Sequence, residues 1–157
     1  MDQITIVNVI QAMLAPGIMI SACGLLILGM NNKYSIVVNR VRLLNEERRR
    51  LFSKAGVREF SYDENVRLGS INIQLKHLVF RSRLVRNAVV CYTIAVALFV
   101  LTSLTIGIEF FSKENLEGTI AVVFLLGMLA VLTGVTYAAY ESIKGYSIIS
   151  LEVKIDE

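Results

Sequence analysis

Proline, tryptophan, histidine and cysteine are nearly missing from this chain. In 157 residues there are one proline, no tryptophan, one histidine, two cysteines and ten glycines. So little proline and glycine excludes a low-complexity, collagen-like or disordered chain. Two cysteines exclude a disulfide scaffold and a four-cysteine zinc site, and a single histidine excludes most histidine-built metal sites. Charge is also scarce. Charged residues make up 18% and hydrophobic residues 55%, with a mean hydropathy of +0.61. A soluble domain has about 25% charged residues, so the balance leans toward lipid. The length suits one compact unit and is too short for a multi-domain enzyme.

What the chain does have is long stretches without an ionised side chain. There are 30 such residues between Asp2 and Lys33, 22 between Arg86 and Glu109, and 23 between Glu117 and Glu141. A helix needs about 20 apolar residues to cross about 30 Å of hydrocarbon. Only a helix satisfies each backbone amide within one such span. The expected fold is therefore an all-α membrane protein with three transmembrane helices, about Ile6–Met30, Ala88–Phe110 and Gly118–Tyr140. The corresponding units are 1–32 (first span), 33–87 (a basic cytoplasmic helical hairpin), 88–111 (second span), 112–117 (an external loop), 118–141 (third span) and 142–157 (a cytoplasmic tail). The first span lacks a basic leading region and is too long for the core of a signal peptide, so it is expected to be retained.

Orientation follows from the basic residues. Segment 31–87 holds 13 of the 16 Lys and Arg and five acids, a net of +8, while the rest of the chain nets −5. The positive-inside rule puts that segment in the cytoplasm, with the N-terminus outside and the C-terminus inside. Its basic character fits contact with anionic lipid, through Arg81, Arg83 and Arg86 where the chain enters the second span, rather than nucleic-acid binding.

Within that segment the pattern is helical on both sides of a turn around Gly56. Leu68, Ile71, Leu75, Leu78, Ser82, Val85 and Val89 alternate spacings of three and four, which is a coiled-coil seam running unbroken into the second span. This predicts two long helices, each part membrane and part cytosol. The seam pairs either within one subunit or between subunits. In the tail, Ile148, Leu151 and Ile155 fit one helical face, although alternation over 149–156 also fits a strand. Helix is favoured, because it leaves no lone strand unpaired.

Polar and small residues inside the spans mark the faces with potential function. Asn8 and Gln11 share one face of the first span, which continues through Ala15, Ile18, Ala22 and Leu26. Such a face suits the lining of a water-filled path in a ring of subunits, or polar contacts between helices. Pro16 removes one backbone bond beside it. Gly127, Ala130 and Gly134 form a small-residue packing seam on the third span, with Gly17, Ser21 and Gly24 on the first as its natural partner. Cys23 and Cys91 are small packing residues.

Ala15-Pro16-Gly17, followed by the run Asn31-Asn32-Lys33-Tyr34-Ser35-Ile36-Val37-Val38-Asn39-Arg40-Val41-Arg42, resembles the DUF2721 family of bacterial membrane proteins. Phe80-Arg81-Ser82-Arg83-Leu84-Val85-Arg86-Asn87-Ala88 is similar to the family's second signature, a basic run leading into the next span. Lys33 stands where the family often has arginine, and Asn39 where it often has aspartate. The resemblance implies the three-span layout over nearly the whole chain. The family's function is unknown, so it implies no catalytic residue.

An enzyme is not expected. No nucleophile, base and orienting group assemble around the solitary His77, and the chain has no Gly-rich phosphate loop, HExxH or paired CxxC. Glu109 and Glu141 read as carboxylates at span ends that reach interfacial water. No catalytic, cofactor or metal site is predicted. Three spans in one subunit cannot enclose a pore, so a cyclic homo-oligomer in contact with lipid is expected. The leading functional expectation is an ion-conducting channel lined by the first span. The alternative is a non-catalytic scaffold or sensor that presents the helical hairpin to a partner.

Overall fold

A computed structural model describes the backbone of residues 6–55, 61–112 and 115–155, and the side chains of 6–53, 61–112 and 115–144. The described chain is three long helices: α1 (Ile6–Ala55), α2 (Tyr62–Ser112) and α3 (Glu117–Ile155). No strand occurs among the described residues, and the tail continues α3 as helix. The turn expected around Gly56 falls on 56–60, outside the described residues, as do positions 113 and 114 of the short loop between α2 and α3. All three helices contain a segment long and apolar enough to cross a membrane. By length and composition these three helices suggest a multi-pass membrane protein.

The helix boundaries have local causes. Ser61 and Glu64 supply one half of a capping box at the start of α2: the Ser61 amide donates to the Glu64 carboxylate at 3.0 Å. Asp63 and Glu64 in the first turn also suit the positive end of the helix dipole. At the start of α3 the Glu117 amide donates to Asn115 Oδ1 at 3.3 Å, and the Leu116 amide donates to Glu109 at 3.2 Å. Glu109, expected to face interfacial water, thus ties the end of α2 to the start of α3. Helix α1 continues through Pro16, which is fully buried. Inside the spans Thr93, Thr102, Thr105, Thr133 and Thr136 donate to carbonyls four residues back, so their hydroxyls are satisfied within their own helices.

Packing follows a seven-residue rhythm. Pro16, Cys23, Met30, Val37 and Leu44 are all buried on α1, each seven residues after the last. On α2 the same spacing gives buried Ile71, Val85, Tyr92 and Phe99, with half-buried Leu78 between. On α3 it gives buried Gly127, Gly134 and Glu141. A sustained repeat of seven keeps one seam facing its partner in left-handed, coiled-coil-like packing. Helix α2 sits between its neighbours and packs along both, whereas α1 and α3 meet at few points.

Both ends of the α1–α2 seam are filled. Leu44 packs with Ile71 and Leu75, flanked by Val41, Leu51 and Leu78. Of the predicted seam residues, Leu68, Ile71, Leu75 and Val85 are buried and Leu78 half-buried, so within one chain they already have α1 as a partner. In the apolar half, Met30 joins Val85, Ala88 and Tyr92, and Cys23 joins Ala95 and Phe99.

The small-residue seam of α3 packs on α2, not α1. A Cβ on Gly134 would lie 2.6 Å from the Tyr92 ring, and one on Gly127 would lie 2.8 Å from the Phe99 ring. Ala130 packs against the Cys23–Phe99 cluster. The expected partner surface is elsewhere: Gly17, Ser21 and Gly24 are exposed, and a Cβ on either glycine would meet nothing within 4 Å. The reason is the aromatic residues of α2. Two large rings need hollows, and glycines seven apart on α3 supply them, whereas α1 meets the same helix with mid-sized side chains.

Candidate functional site

Among the described residues, Glu141 is the one buried charged side chain, at 1% exposure. It occupies the next seven-residue step after Gly134, so the spacing that buries the glycines also turns its carboxylate inward. Two cations meet it. Arg81 of α2 donates to Oε1 through Nη2 at 2.7 Å and Nε at 3.1 Å. Lys33 of α1 donates to Oε2 at 3.3 Å and to Ser142 Oγ at 2.9 Å. All three helices are therefore joined at one polar point.

This junction lies where the long charge-free runs end, at the boundary expected to face the cytoplasm. Burying a lone carboxylate costs several kcal/mol, and it is tolerated only with close cations and hydrogen bonds on both oxygens. Both oxygens of Glu141 are bonded, and no buried side-chain polar atom among the described residues lacks a partner. Lys33 is the most open member, with 46% of its side chain exposed against 24% for Arg81. The arrangement is a three-way clamp, with its net positive charge displaced toward the exposed lysine.

Two expectations change here. Glu141 does not reach interfacial water as a free span-end carboxylate; the seam of α3 carries it into the helix junction. Arg81, expected to meet anionic lipid with Arg83 and Arg86, is drawn inward to Glu141, while Arg83 and Arg86 remain exposed. The available signal was arithmetic. Glu141 extends the Gly127–Gly134 spacing, and Arg81 stands seven before Ala88 on the α3-facing side of α2.

The face of α1 expected to line a path is left open. Asn8, Gln11, Ala15, Ile18, Ala22 and Leu26 are all exposed, although Leu26 is close to half-buried at 38%. Neither α2 nor α3 covers this stripe within one chain.

Farther along the polar half, Arg67 of α2 donates to both oxygens of Glu47 of α1, at 2.8 and 3.2 Å. Those hydrogen bonds hold the Glu47 carboxyl below its ordinary range and raise the Arg67 guanidinium above its own. Arg50 pairs with Glu46 one turn away at 2.7 Å. No group of three or more His, Cys, Asp or Glu suited to hold a metal occurs among the described residues.

The family model described as "Protein of unknown function (DUF2721)" matches residues 13–151. The chain belongs to the DUF2721 family. The matched region takes in α1 from Met13 onward, all of α2, and α3 through Leu151, including the Lys33–Arg81–Glu141 clamp. No curated protein and no solved structure is significantly similar to the chain.

Proposed function

We propose that this DUF2721 protein is a homo-oligomeric ion channel of the bacterial inner membrane, with the N-terminus outside and α1 innermost around a cyclic axis. The observation that carries this reading is the uncovered stripe of α1. Amides in an apolar helix seek partners, because an unsatisfied polar group in hydrocarbon is costly. Asn8 and Gln11 have none from α2 or α3 among the described residues. In a ring they form stacked polar layers near the outer mouth, and Ile18 and Leu26 form apolar constrictions below, of the kind that gate by dewetting. Lipids surround the ring, and inorganic ions are its cargo.

Purified protein in planar bilayers should carry current under a salt gradient, and Leu26→Asn, which hydrates the inner constriction, should raise it. If neither protein conducts, the channel reading fails. A scaffold or sensor then takes its place. That second reading is favoured by the unbroken α1–α2 seam, which joins the apolar and polar halves into one rigid pair suited to present a surface to a cytosolic partner.

A further inference from the structure

A cleft of about 470 Å³ opens between α1 and α2 in the polar half of the chain. Its floor is apolar, formed by Val41, Leu75, Val79 and Phe80, and Arg48, Lys76 and Arg83 stand around it. Val79 and Phe80 are 41% and 46% exposed, so the apolar lining is open to an occupant. None of the three cations has a partner among the described residues, because the nearby carboxylates are committed: Glu46 holds Arg50, and Glu47 holds Arg67. The cleft therefore suits a segment with an apolar face and excess carboxylates.

The cleft also lies away from α3. At 3.6 residues per turn, Arg83 is about 200° around α2 from Arg81, and Arg81 is the residue that reaches α3. On α1, Asn45 of the cleft continues the seven-residue spacing from Gly17 and Gly24, so one uncovered flank runs from the small residues of the first span down to the cleft. The subunit thus has two unlike flanks, one occupied by α3 and the other open.

We propose that the cleft receives the C-terminal helical tail of a second copy of this chain, so that subunits associate head to tail. This deepens the homo-oligomeric reading above by naming the surfaces that meet. The tail has the required chemistry: residues 145–157 carry Glu152, Asp156 and Glu157 against one base, Lys154, among five Ile, Leu and Val. It has the required reach, since α3 runs as helix to Ile155, about 20 Å beyond the clamp. It has the required level, because Gly127 and Gly134 of α3 face Phe99 and Tyr92 of α2, and at that antiparallel register the tail from Gly145 onward runs level with α2 from about Arg81 down past Leu75. A chain's own tail does not serve, because the clamp fixes α3 on the opposite flank and an unbroken helix does not cross over. Repetition of one heterologous contact closes a ring when the rotation between neighbours divides a full turn.

The test uses full-length copies with Cys23→Ala and Cys91→Ala. One copy carries Val79→Cys and one epitope tag; the other carries Ser147→Cys and a second tag. Coexpressed and oxidised in native membranes with copper phenanthroline, they should give a disulfide dimer bearing both tags, since bridging needs Cα atoms within about 7 Å. Lys76→Glu on the first copy should lower the yield roughly threefold, and Glu152→Arg on the second should restore it. A photocrosslinking side chain at position 79 of the otherwise native chain covers the case in which the cysteine-free background does not fold; it should capture residues 145–157 of another copy. Dimers only between like copies, no mixed dimer, or photocapture of lipid or another segment would overturn the proposal. A mixed dimer from a protein that carries no current retains this interface and removes the channel; current without a mixed dimer does the reverse.

Discussion

In the polar half of the molecule, α1 and α2 meet through Leu44, Ile71 and Leu75, large aliphatic side chains interdigitated among charged neighbours. In the apolar half, α2 and α3 meet through Gly127 and Gly134 set beneath the rings of Phe99 and Tyr92. Both seams use the seven-residue spacing, and both bury their central residues. The difference lies in what surrounds them. Beside water, removing aliphatic surface from solvent is the drive, about 25 cal/mol per Å². In lipid the tails are as apolar as leucine, so burial alone gains nothing, and association rests on close approach and dispersion. The same geometry is therefore filled with bulk where the hydrophobic effect operates, and with a glycine-against-ring fit where it does not. Where the two halves meet sits the Lys33–Arg81–Glu141 clamp, a polar point that joins all three helices.

Removing part of the clamp should have the largest effect. Arg81→Ala leaves Glu141 buried with only the more exposed Lys33, and breaking a buried pair typically costs about 3–5 kcal/mol. Detergent-solubilised protein should unfold at clearly lower temperature or denaturant concentration. Wild-type stability in that variant would show that the carboxylate finds water without Arg81. Next comes the contrast between the seams. Ile71→Ala opens a void in the aliphatic cluster, for an expected loss of about 2–5 kcal/mol. Gly134→Ala acts by the opposite means, forcing a methyl group to within 2.6 Å of the Tyr92 ring; such overpacking costs about 1–3 kcal/mol. Pairing Gly134→Ala with Tyr92→Leu should recover part of that loss by removing the ring, while Tyr92→Leu does nothing for Ile71→Ala. Equal rescue of both would mean that the seams are not independent.

Much of this was legible in the residues. The charge-free runs located the three apolar segments, and the alternation of Leu68, Ile71, Leu75 and Leu78 located the α1-facing side of α2, because periodicity records which side chains leave solvent. The partner of the α3 seam was not legible. Gly127 and Gly134 announce close approach by something, but pattern alone does not distinguish a facing glycine stripe on α1 from facing rings on α2. Tyr92 and Phe99 lie on the continuation of the α2 seam, and their bulk was the missing signal. Glu141 was misread for a related reason. A carboxylate at the end of an apolar run looks like an interfacial residue, and its burial depends on cations contributed from 60 and 108 residues away. The open stripe of α1 and the cleft beside Val79 belong to neither seam, and they are the surfaces on which the oligomer proposals rest.

The smallest effect sharpens the comparison at its polar end. Glu47 and Arg67 brace α1 against α2 near the Leu44–Ile71 cluster, and both side chains are substantially exposed. The hydrogen bonds from Arg67 lower the Glu47 carboxyl below the ordinary glutamate value of 4.5. A group whose pKa is lower in the folded state than in the unfolded one binds more protons when unfolded. Its stabilisation is therefore complete above about pH 4.5 and declines as pH falls through the lower, folded value. Glu47→Gln removes that dependence. The wild type should be slightly more stable than the variant at pH 7, and the two should converge below pH 4.5 as Glu47 is protonated. Solvent screening keeps the difference small, and added salt should reduce it further. The clamp and the Gly134 seam should not respond to that substitution, because no carboxylate changes there. Thermal melts of the two proteins across pH 3–7 measure this directly: a gap that widens on acidification would reverse the sign and show that Arg67 is not the partner that sets the Glu47 titration.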